Sequence, residues 1–294
     1  MTRPADNDGG GTPHRLAVLG AGVMGTGITA LALGCGLPVV LVDVDKEALE
    51  RSRDRVRTHL RFAQMTGKLP PGGEQAGFET TTSVADISGC TAVVEAVTER
   101  AEVKSQVWSE VAATVPPGTL LVSNTSAVPI GEQAASVRHP EDLIGVHFMN
   151  PPYMIHTAEI VRGPSTGDTT VAATRALLGA LGRHGIVVAD APGFVINRVL
   201  QWTINEAARI VEEGIAAPED VDALFKGCLG HTTGPLATAD LIGLDNVVDS
   251  LRVLRERLDN DRYEPCDALV AKVTAGDLGR KTGRGFFDYG GTAS

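Results

Sequence analysis

The sequence predicts an α/β domain, built as a doubly wound and mostly parallel sheet, followed by an all-helical C-terminal domain. Three observations carry that expectation. Short apolar runs alternate with helix-compatible stretches through the first two thirds of the chain, which is the pattern of βαβ units. A glycine-rich turn closes the first apolar run. Beyond "DAPGFVINRVL" no further strand-like run of that type occurs, and amphipathic helical patterns take over.

The elements follow in order. "RLAVLGAGVMG" opens as an apolar strand and turns at its glycines, and residues 26–34 are rich in helix-compatible Ala and Leu. "PVVLVDVD" reads as a second buried strand ending at Asp43, and residues 46–67 as a polar helix. The runs "TAVVEAV", "TLLVSNTS", "LIGVHFM", "TAEIVRG" and "GIVVAD" read as further strands, with helical stretches at 102–114 and 169–184. Asp190, Pro192 and Gly193 punctuate the chain. After them "NRVLQWTINEAARIVEEG" is a long amphipathic helix that stops at Gly214, as glycine commonly does. "APEDVDALFKGCLG", with Pro218 in its first turn, "DLIGLDNVVDSLRVLRERL" and "CDALVAKVTAG" are the next helical segments. The expected domains are a disordered leader at 1–13, acidic and glycine-rich, an α/β domain at 14–191 and a helical domain at 192–294.

Composition excludes several classes of function. A net charge of -10 over 294 residues disfavours nucleic acid as a partner, because phosphates are repelled. No apolar run reaches the ~20 residues of a membrane span, and the start of the chain has neither the cationic region nor the apolar core of a signal peptide. Cys35, Cys90, Cys228 and Cys266 are scattered without metal-ligand spacing, so no metal is expected and reduced thiols in a cytoplasmic protein are.

"LGAGVMG" sets Gly20, Gly22 and Gly25 in G-x-G-x-x-G spacing. Alone that match is weak. Its context strengthens it, since a strand precedes it, a helix follows, and the next strand ends in an acid. This is the Rossmann arrangement for holding a dinucleotide pyrophosphate at a helix N-terminus. Gly20 makes the tight turn, Gly22 admits the phosphates and Gly25 lets helix and strand pack closely. The whole turn, with Ala21, Val23 and Met24, is expected to bind cofactor. Asp43 is expected to accept hydrogen bonds from the adenosine ribose hydroxyls, which favours NAD because a carboxylate repels a 2′-phosphate.

"GVHFMNPPYMIHTAEIVRG" raises a different question. His147 and Glu159 interrupt apolar segments where either is costly to bury without a partner. The Pro151-Pro152 turn between them reverses the chain, so the two side chains can meet. A histidine braced by a carboxylate is a general base suited to neutral pH, as in hydrolase triads. His139 and His156 lie nearby, and position alone does not choose among the three.

The segments "GAGVMGTGI", "VVEAVTE", "SNTSA", "GVHFMNP", "EIVRG", "PGFVINR", "GPLATADLIGLD" and "GRKTGRGFFDY" occur in this order. With them the chain resembles the L-3-hydroxyacyl-CoA dehydrogenase family, including bacterial 3-hydroxybutyryl-CoA dehydrogenases, from about Arg15 to Tyr289. The resemblance implies that His147 is the catalytic base and Glu159 its carboxylate partner. It implies that Ser126 touches substrate and nicotinamide, and that Asn197 lies near the thioester oxygen. Glu99 and Lys104 would line the nicotinamide ribose, Asn150 would contact the cofactor beside the base, and Lys281 would reach the cofactor site. Glu95 reads instead as shaping its turn. The implied activity is NAD-dependent oxidation of an L-3-hydroxyacyl thioester, by a homodimer formed through the helical domain.

Two departures bear on the substrate. After His-Phe-x-Asn-Pro the family commonly has a Pro-x-x-Met-Lys-like run, whereas this chain has "PPYMIHTAEI", where Tyr153, His156 and Thr157 are placed to alter the pocket. "NPPY" is also similar to gulonate dehydrogenase and its crystallin-like relatives, which leaves a sugar-acid dehydrogenase or a non-catalytic NAD-binding protein as alternatives. Secondly, Pro70, Pro71, Gly72 and Gly73 break the helical arm that many relatives place near coenzyme A. Arg53, Arg57 and Arg61, with Arg51 and Arg55 in a neighbouring row, form either a solvated charged face paired with Glu47, Glu50 and Asp54, or a landing strip for phosphates or an acidic acyl carrier protein. Family members in polyketide pathways oxidise a glyceryl or other hydroxyacyl group on such a carrier, and the broken arm, the altered run and the arginines favour that tethered substrate slightly over the coenzyme A ester.

Overall fold

A computed structural model describes residues 15–72 and 76–290. The expected leader at 1–13, and Gly73 of the Pro-Gly run, lie outside the described residues. Two compact units divide between Asp190 and Ala191.

The first unit runs β1 (Leu16–Leu19), α1 (Val23–Gly34), β2 (Val39–Val42), α2 (Lys46–Met65), β3 (Phe78–Thr81), β4 (Ala92–Glu95), α3 (Ala101–Thr114), β5 (Leu120–Ser123), α4 (Ile130–Ala134), β6 (Leu143–His147), β7 (Thr157–Arg162), α5 (Asp168–Ala180) and β8 (His184–Ala189). One eight-stranded sheet has the order β3-β2-β1-β4-β5-β6-β7-β8. β1 to β6 pair in parallel, β6 and β7 pair antiparallel, and β7 and β8 pair in parallel. The first six strands therefore have the doubly wound order, and the chain switches direction between β1 and β4. β1, β2, β4, β5 and β6 are buried at every residue. That is why they read as continuous apolar runs rather than alternating ones.

β3 is an additional strand. Its sequence, Phe-Glu-Thr-Thr, is half exposed and pairs only with β2 at the sheet edge, so it needs no apolar signature. The helix expected at 169–184 ends at Ala180, and the chain turns through Leu181–Arg183 into β8. α2 stops at Met65, ahead of the Pro-Gly run.

The second unit holds α6 (Ile196–Glu212), α7 (Pro218–Leu229), α8 (Pro235–Ile242), α9 (Leu244–Leu258) and α10 (Asp267–Thr274). The segment "DLIGLDNVVDSLRVLRERL" is two helices, not one. Gly243 breaks it at φ +99°, a conformation that a side chain strongly disfavours. Ile204, Leu236, Leu244, Val247 and Leu251 form the centre of this unit's own core. Asp240, almost fully buried, ties the C-terminal turn to it by accepting from the amides of Phe286 (2.9 Å) and Phe287 (3.0 Å) and from the Tyr289 hydroxyl (3.0 Å). Among the described residues no helix is long and apolar enough to cross a membrane, and no cluster of His, Cys, Asp or Glu could hold a metal ion.

Candidate active site

The site of the first unit is best read along the carboxyl ends of its parallel strands, where ligands of doubly wound sheets bind. Asp43 follows β2, the glycine turn follows β1, Glu95 ends β4 and Glu99 lies beyond it, Ser126 follows β5, and His147 ends β6. In sheet order these form one row, from Asp43 at one end to His147 at the other. Three strand spacings separate β1 from β6, roughly 14 Å at the usual inter-strand distance.

The glycine turn has the geometry its spacing requires. Gly20 lies at φ +102°, and a Cβ there would meet the Ala96 carbonyl oxygen at 2.5 Å, so the turns after β1 and β4 abut. A Cβ on Gly25 would fall on the Gly20 carbonyl oxygen, whereas one on Gly22 would meet open space. No side chain caps α1, and no acid sits in its first turn. Its leading amides and positive dipole end are therefore suited to a phosphate group. Asp43 serves the turn as well. Its Oδ2 accepts from Ala21 N at 2.7 Å and its Oδ1 from Asp45 N at 2.9 Å. A carboxylate has about four acceptor positions, so capacity for ribose hydroxyls is retained. The open approach at Gly22, the uncapped helix and this carboxylate together fit NAD.

At the other end of the row, His147 and Glu159 are direct cross-strand partners in the antiparallel β6–β7 pair. His147 Nδ1 lies 2.8 Å from Glu159 Oε2, and the residues are 7% and 6% exposed. A carboxylate only accepts, so Nδ1 carries the proton and Nε2 is left as the basic nitrogen. His139 and His156 are different in kind. The first is an exposed side chain 3.4 Å from Glu141, and the second is exposed.

Between the ends lies a buried charged group that sequence reasoning missed as a unit. Lys104 Nζ donates to Glu95 Oε1 at 2.7 Å and Oε2 at 2.9 Å, and lies 3.0 Å from Glu99 Oε2. Glu99 Oε1 in turn accepts from the Thr125 hydroxyl at 2.5 Å and from the amides of Ser126 and Ala127, both at 2.8 Å. Burial pushes the Glu99 carboxyl up, but the Lys104 charge and these hydrogen bonds outweigh it and hold it below its ordinary value. Thr125 was visible only as a member of "SNTSA". The signal for Glu95 was a lone carboxylate at the end of a buried strand.

Tyr153, expected to alter the pocket, packs against α2. It is buried, and its hydroxyl lies 2.9 Å from His59 Nδ1. Burial, and then the charge of Arg55, push the His59 pKa down. His156 and Thr157 are exposed, as is Asn150. Arg183, also unforeseen, is 7% exposed and donates to the carbonyls of Pro152 (3.1 Å), Tyr153 (2.9 Å) and Gly182 (3.1 Å). The turn between the two site residues is thus fastened on both flanks.

The arginine face divides. Arg51 pairs with Glu47 at 3.2 Å and Arg57 with Asp54 at 2.9 Å. Arg53 donates to Thr80 at 2.8 Å over the Phe78 ring. Arg55 and Arg61 are exposed and have no ion-pair partner among the described residues. In the second unit, Asn197 sits in the first turn of α6, just after Phe194 at φ +49°. Lys281 is held in an exposed ion pair, 2.6 Å from each oxygen of Asp245.

Comparison with known proteins agrees with this geometry. Residues 15–191 match the NAD binding domain of 3-hydroxyacyl-CoA dehydrogenase, and residues 193–289 match its C-terminal domain. A probable 3-hydroxybutyryl-CoA dehydrogenase of Deinococcus radiodurans is 38% identical over 94% of this chain and 100% of its own. The crystal structure of the (S)-3-hydroxybutyryl-CoA dehydrogenase of Ralstonia eutropha is 36% identical, with a TM-score of 0.89 over 95% of this chain and 100% of that one. A 5-formyl-3-hydroxy-2-methylpyridine 4-carboxylate 5-dehydrogenase of Mesorhizobium japonicum is 33% identical over 94% of this chain and 91% of its own. With an NAD-binding sheet, a helical second unit and relatives matched along nearly their whole length, the chain belongs to the 3-hydroxyacyl-CoA dehydrogenase family, a family of NAD-dependent oxidoreductases.

Proposed function

We propose that this chain oxidises the C3 hydroxyl of an L-3-hydroxyacyl thioester to the 3-oxo group, with His147 as general base. The observation that supports this most directly is the 2.8 Å contact between His147 Nδ1 and Glu159 Oε2 at the carboxyl edge of the sheet. His147 Nε2 takes the hydroxyl proton as the C3 hydride leaves. Glu159 stabilises the imidazolium that forms and fixes its tautomer. NAD, when bound, supplies the hydride acceptor at its nicotinamide ring. Gly20 to Gly25 and Asp43 hold the pyrophosphate and adenosine ribose at one end of the row. Glu99, one third exposed, faces the nicotinamide ribose, with Asn150 and Lys281 as further cofactor contacts. Ser126 and Asn197 hold substrate oxygens.

Relatives matched end to end favour 3-hydroxybutyryl-CoA as substrate. One feature favours an acyl carrier protein instead. The outward face of α2 carries the unpaired cations Arg55 and Arg61 beside exposed Phe62 and Met65, a combination suited to an acidic helical partner. A steady-state comparison of 3-hydroxybutyryl-CoA, a glyceryl carrier protein and free L-gulonate separates the readings. Turnover of the CoA ester orders of magnitude above the others is expected, and preference for the carrier protein or the free acid overturns it. The active form is a homodimer through the helical unit, whose exposed Val199, Trp202, Leu224 and Leu241 supply apolar surface. Light scattering at micromolar concentration that gives the monomer mass refutes the dimer.

A further inference from the structure

Apart from Lys104, Arg183 is the only lysine or arginine buried among the described residues, and none of their carboxylates lies within ion-pair distance of it. Burial disfavours its charge and pushes its pKa down. A buried cation with no acid beside it is a poor source of stability, so its worth lies in geometry. Its partners are carbonyls. Arg183 ends the turn between α5 and β8, where its own amide donates to the Leu178 carbonyl at 2.7 Å. Its Nε donates to the Pro152 carbonyl at 3.1 Å and its Nη2 to the Tyr153 carbonyl at 2.9 Å. The planar fork of a guanidinium is suited to spanning two successive peptide units in this way. The next residue continues the grip, since His184 N donates to the His156 carbonyl at 2.8 Å. The connection so held, residues 148–156, is folded on itself as well: the Pro151 carbonyl accepts from Met154 N at 2.9 Å and from Ile155 N at 3.2 Å. The Pro152 ring sits against α1, where a Cβ on Gly27 would meet its Cγ and Cδ at 2.9 Å. Nearer the base, Phe148 N donates to Asn124 Oδ1 at 3.3 Å. Asn150 therefore lies between two anchors, Phe148 and Pro152.

We propose that Arg183 is a positioning residue, which touches neither cofactor nor substrate and sets Asn150 beside the base by holding the backbone of Pro152 and Tyr153. The proposal rests on the reading above, in which Asn150 contacts the cofactor next to His147. Only Pro151 separates Asn150 from the clamped residues, so a shift at Pro152 passes to Asn150 with little chain to absorb it. A methionine at 183 occupies similar space but donates nothing. The carbonyls of Pro152 and Tyr153 then lack their buried donor, and the connection relaxes to find other partners. A misplacement of about 1 Å by a change remote from the chemistry can cost ~10²-fold in rate.

The test uses Arg183→Met, Arg183→Lys, Asn150→Ala and the double variant Asn150→Ala/Arg183→Met. NADH affinity is read by fluorescence, kcat and KM by acetoacetyl-CoA reduction at saturating NADH, and the folded fraction by circular dichroism at the assay temperature. Arg183→Met is expected to raise the NADH Kd about tenfold, the worth of one hydrogen bond from Asn150. Its kcat is expected to fall about 10- to 100-fold, with the KM for acetoacetyl-CoA within about threefold of wild type. Arg183→Lys, whose single ammonium replaces the fork, is expected to lie between wild type and Arg183→Met, and it decides the matter if Arg183→Met fails to fold. In the double variant the loss of Arg183 is expected to add less than about threefold to the NADH Kd of Asn150→Ala, because residues that act through one another are not additive. Folded Arg183 variants with wild-type Kd and kcat show a purely structural clamp and overturn the proposal. A double variant in which the two effects multiply in full overturns it too, as does an Asn150→Ala variant with the wild-type NADH Kd. Wild-type protein that binds NADH but turns over no acyl-CoA counts against the functional reading alone, because the binding arm still reads the clamp.

Discussion

Replacing Glu159 by glutamine tests the acid–base pair with the smallest change of shape. The two groups are 2.8 Å apart and more than nine-tenths buried, so solvent screens them little. A full charge pair at that separation is worth about 6 kcal/mol gross at an effective dielectric of ~20. The net worth of a charge-assisted hydrogen bond is smaller, about 1.5–3 kcal/mol. Each ~1.4 kcal/mol is a factor of ten in rate, so loss of charge alone lowers turnover about 10- to 100-fold. Glutamine adds a second penalty. Its amide can donate to Nδ1 and hold the imidazole in the wrong tautomer, a fault that costs up to ~10⁴ in hydrolase triads. We expect kcat in Glu159→Gln to fall by about 10²–10⁴, in line with loss of general-base function. The assay is NADH absorbance at saturating substrate, with NADH affinity measured separately by fluorescence. In a cycle with His147→Gln, the second substitution should add less than about tenfold, because groups that act as a unit are strongly non-additive. A variant that keeps turnover within about tenfold of wild type while binding NADH normally would refute the reasoning.

Three further outcomes are expected. Asp43→Asn should weaken NADH binding about tenfold or more, since it removes charged acceptors worth ~1.5–3 kcal/mol each, and should narrow discrimination against NADPH; wild-type protein that binds both equally refutes the role given to the carboxylate. Arg183→Met leaves the carbonyls of Pro152, Tyr153 and Gly182 without their buried donor, and should cost about 2–5 kcal/mol of stability by thermal or denaturant melting. The folded Glu99 carboxyl is held below its ordinary value, so its contribution to stability is complete above the unfolded pKa of about 4.3 and is lost as pH falls through the lower folded value. Melting curves of Glu99→Gln should therefore lie below wild type at neutral pH and converge with it in acid; a gap that widens in acid reverses the sign.

The central strands are legible in the sequence because burial on both faces demands uninterrupted apolar runs, as in "AVVE" and "LLVS". β3 is not, because an edge strand with one neighbour can be Glu and Thr. The single helix read across "DLIGLDNVV" fails at Gly243, whose positive φ outweighs the helical periodicity on either side. His147 and Glu159 stand out as charges in apolar company, but only burial and the β6–β7 register separate His147 from His139 and His156. The Lys104 contacts with Glu95 and Glu99 and the Arg183 clamp join residues that no local pattern relates. Their partners are carboxylates and carbonyls on other elements, and a carbonyl leaves no mark in a sequence. The bond of Tyr153 to His59 on α2 is illegible for the same reason, since a large polar residue in a turn shows nothing of which element it meets.

The reversal of direction between β6 and β7 has a consequence for how such an enzyme can diverge. The register that sets His147 opposite Glu159 fixes their encounter by backbone pairing, and a slip of one residue would turn side chains to the opposite face. The connection that joins the two strands is tied down at Pro152 and Tyr153, but its exposed residues 155–157 carry no such obligation. On the proposed reading, those exposed positions can be rewritten to admit a different alcohol while His147 and Glu159 stay where they are, so selectivity and chemistry would reside on separable parts of one short stretch of chain.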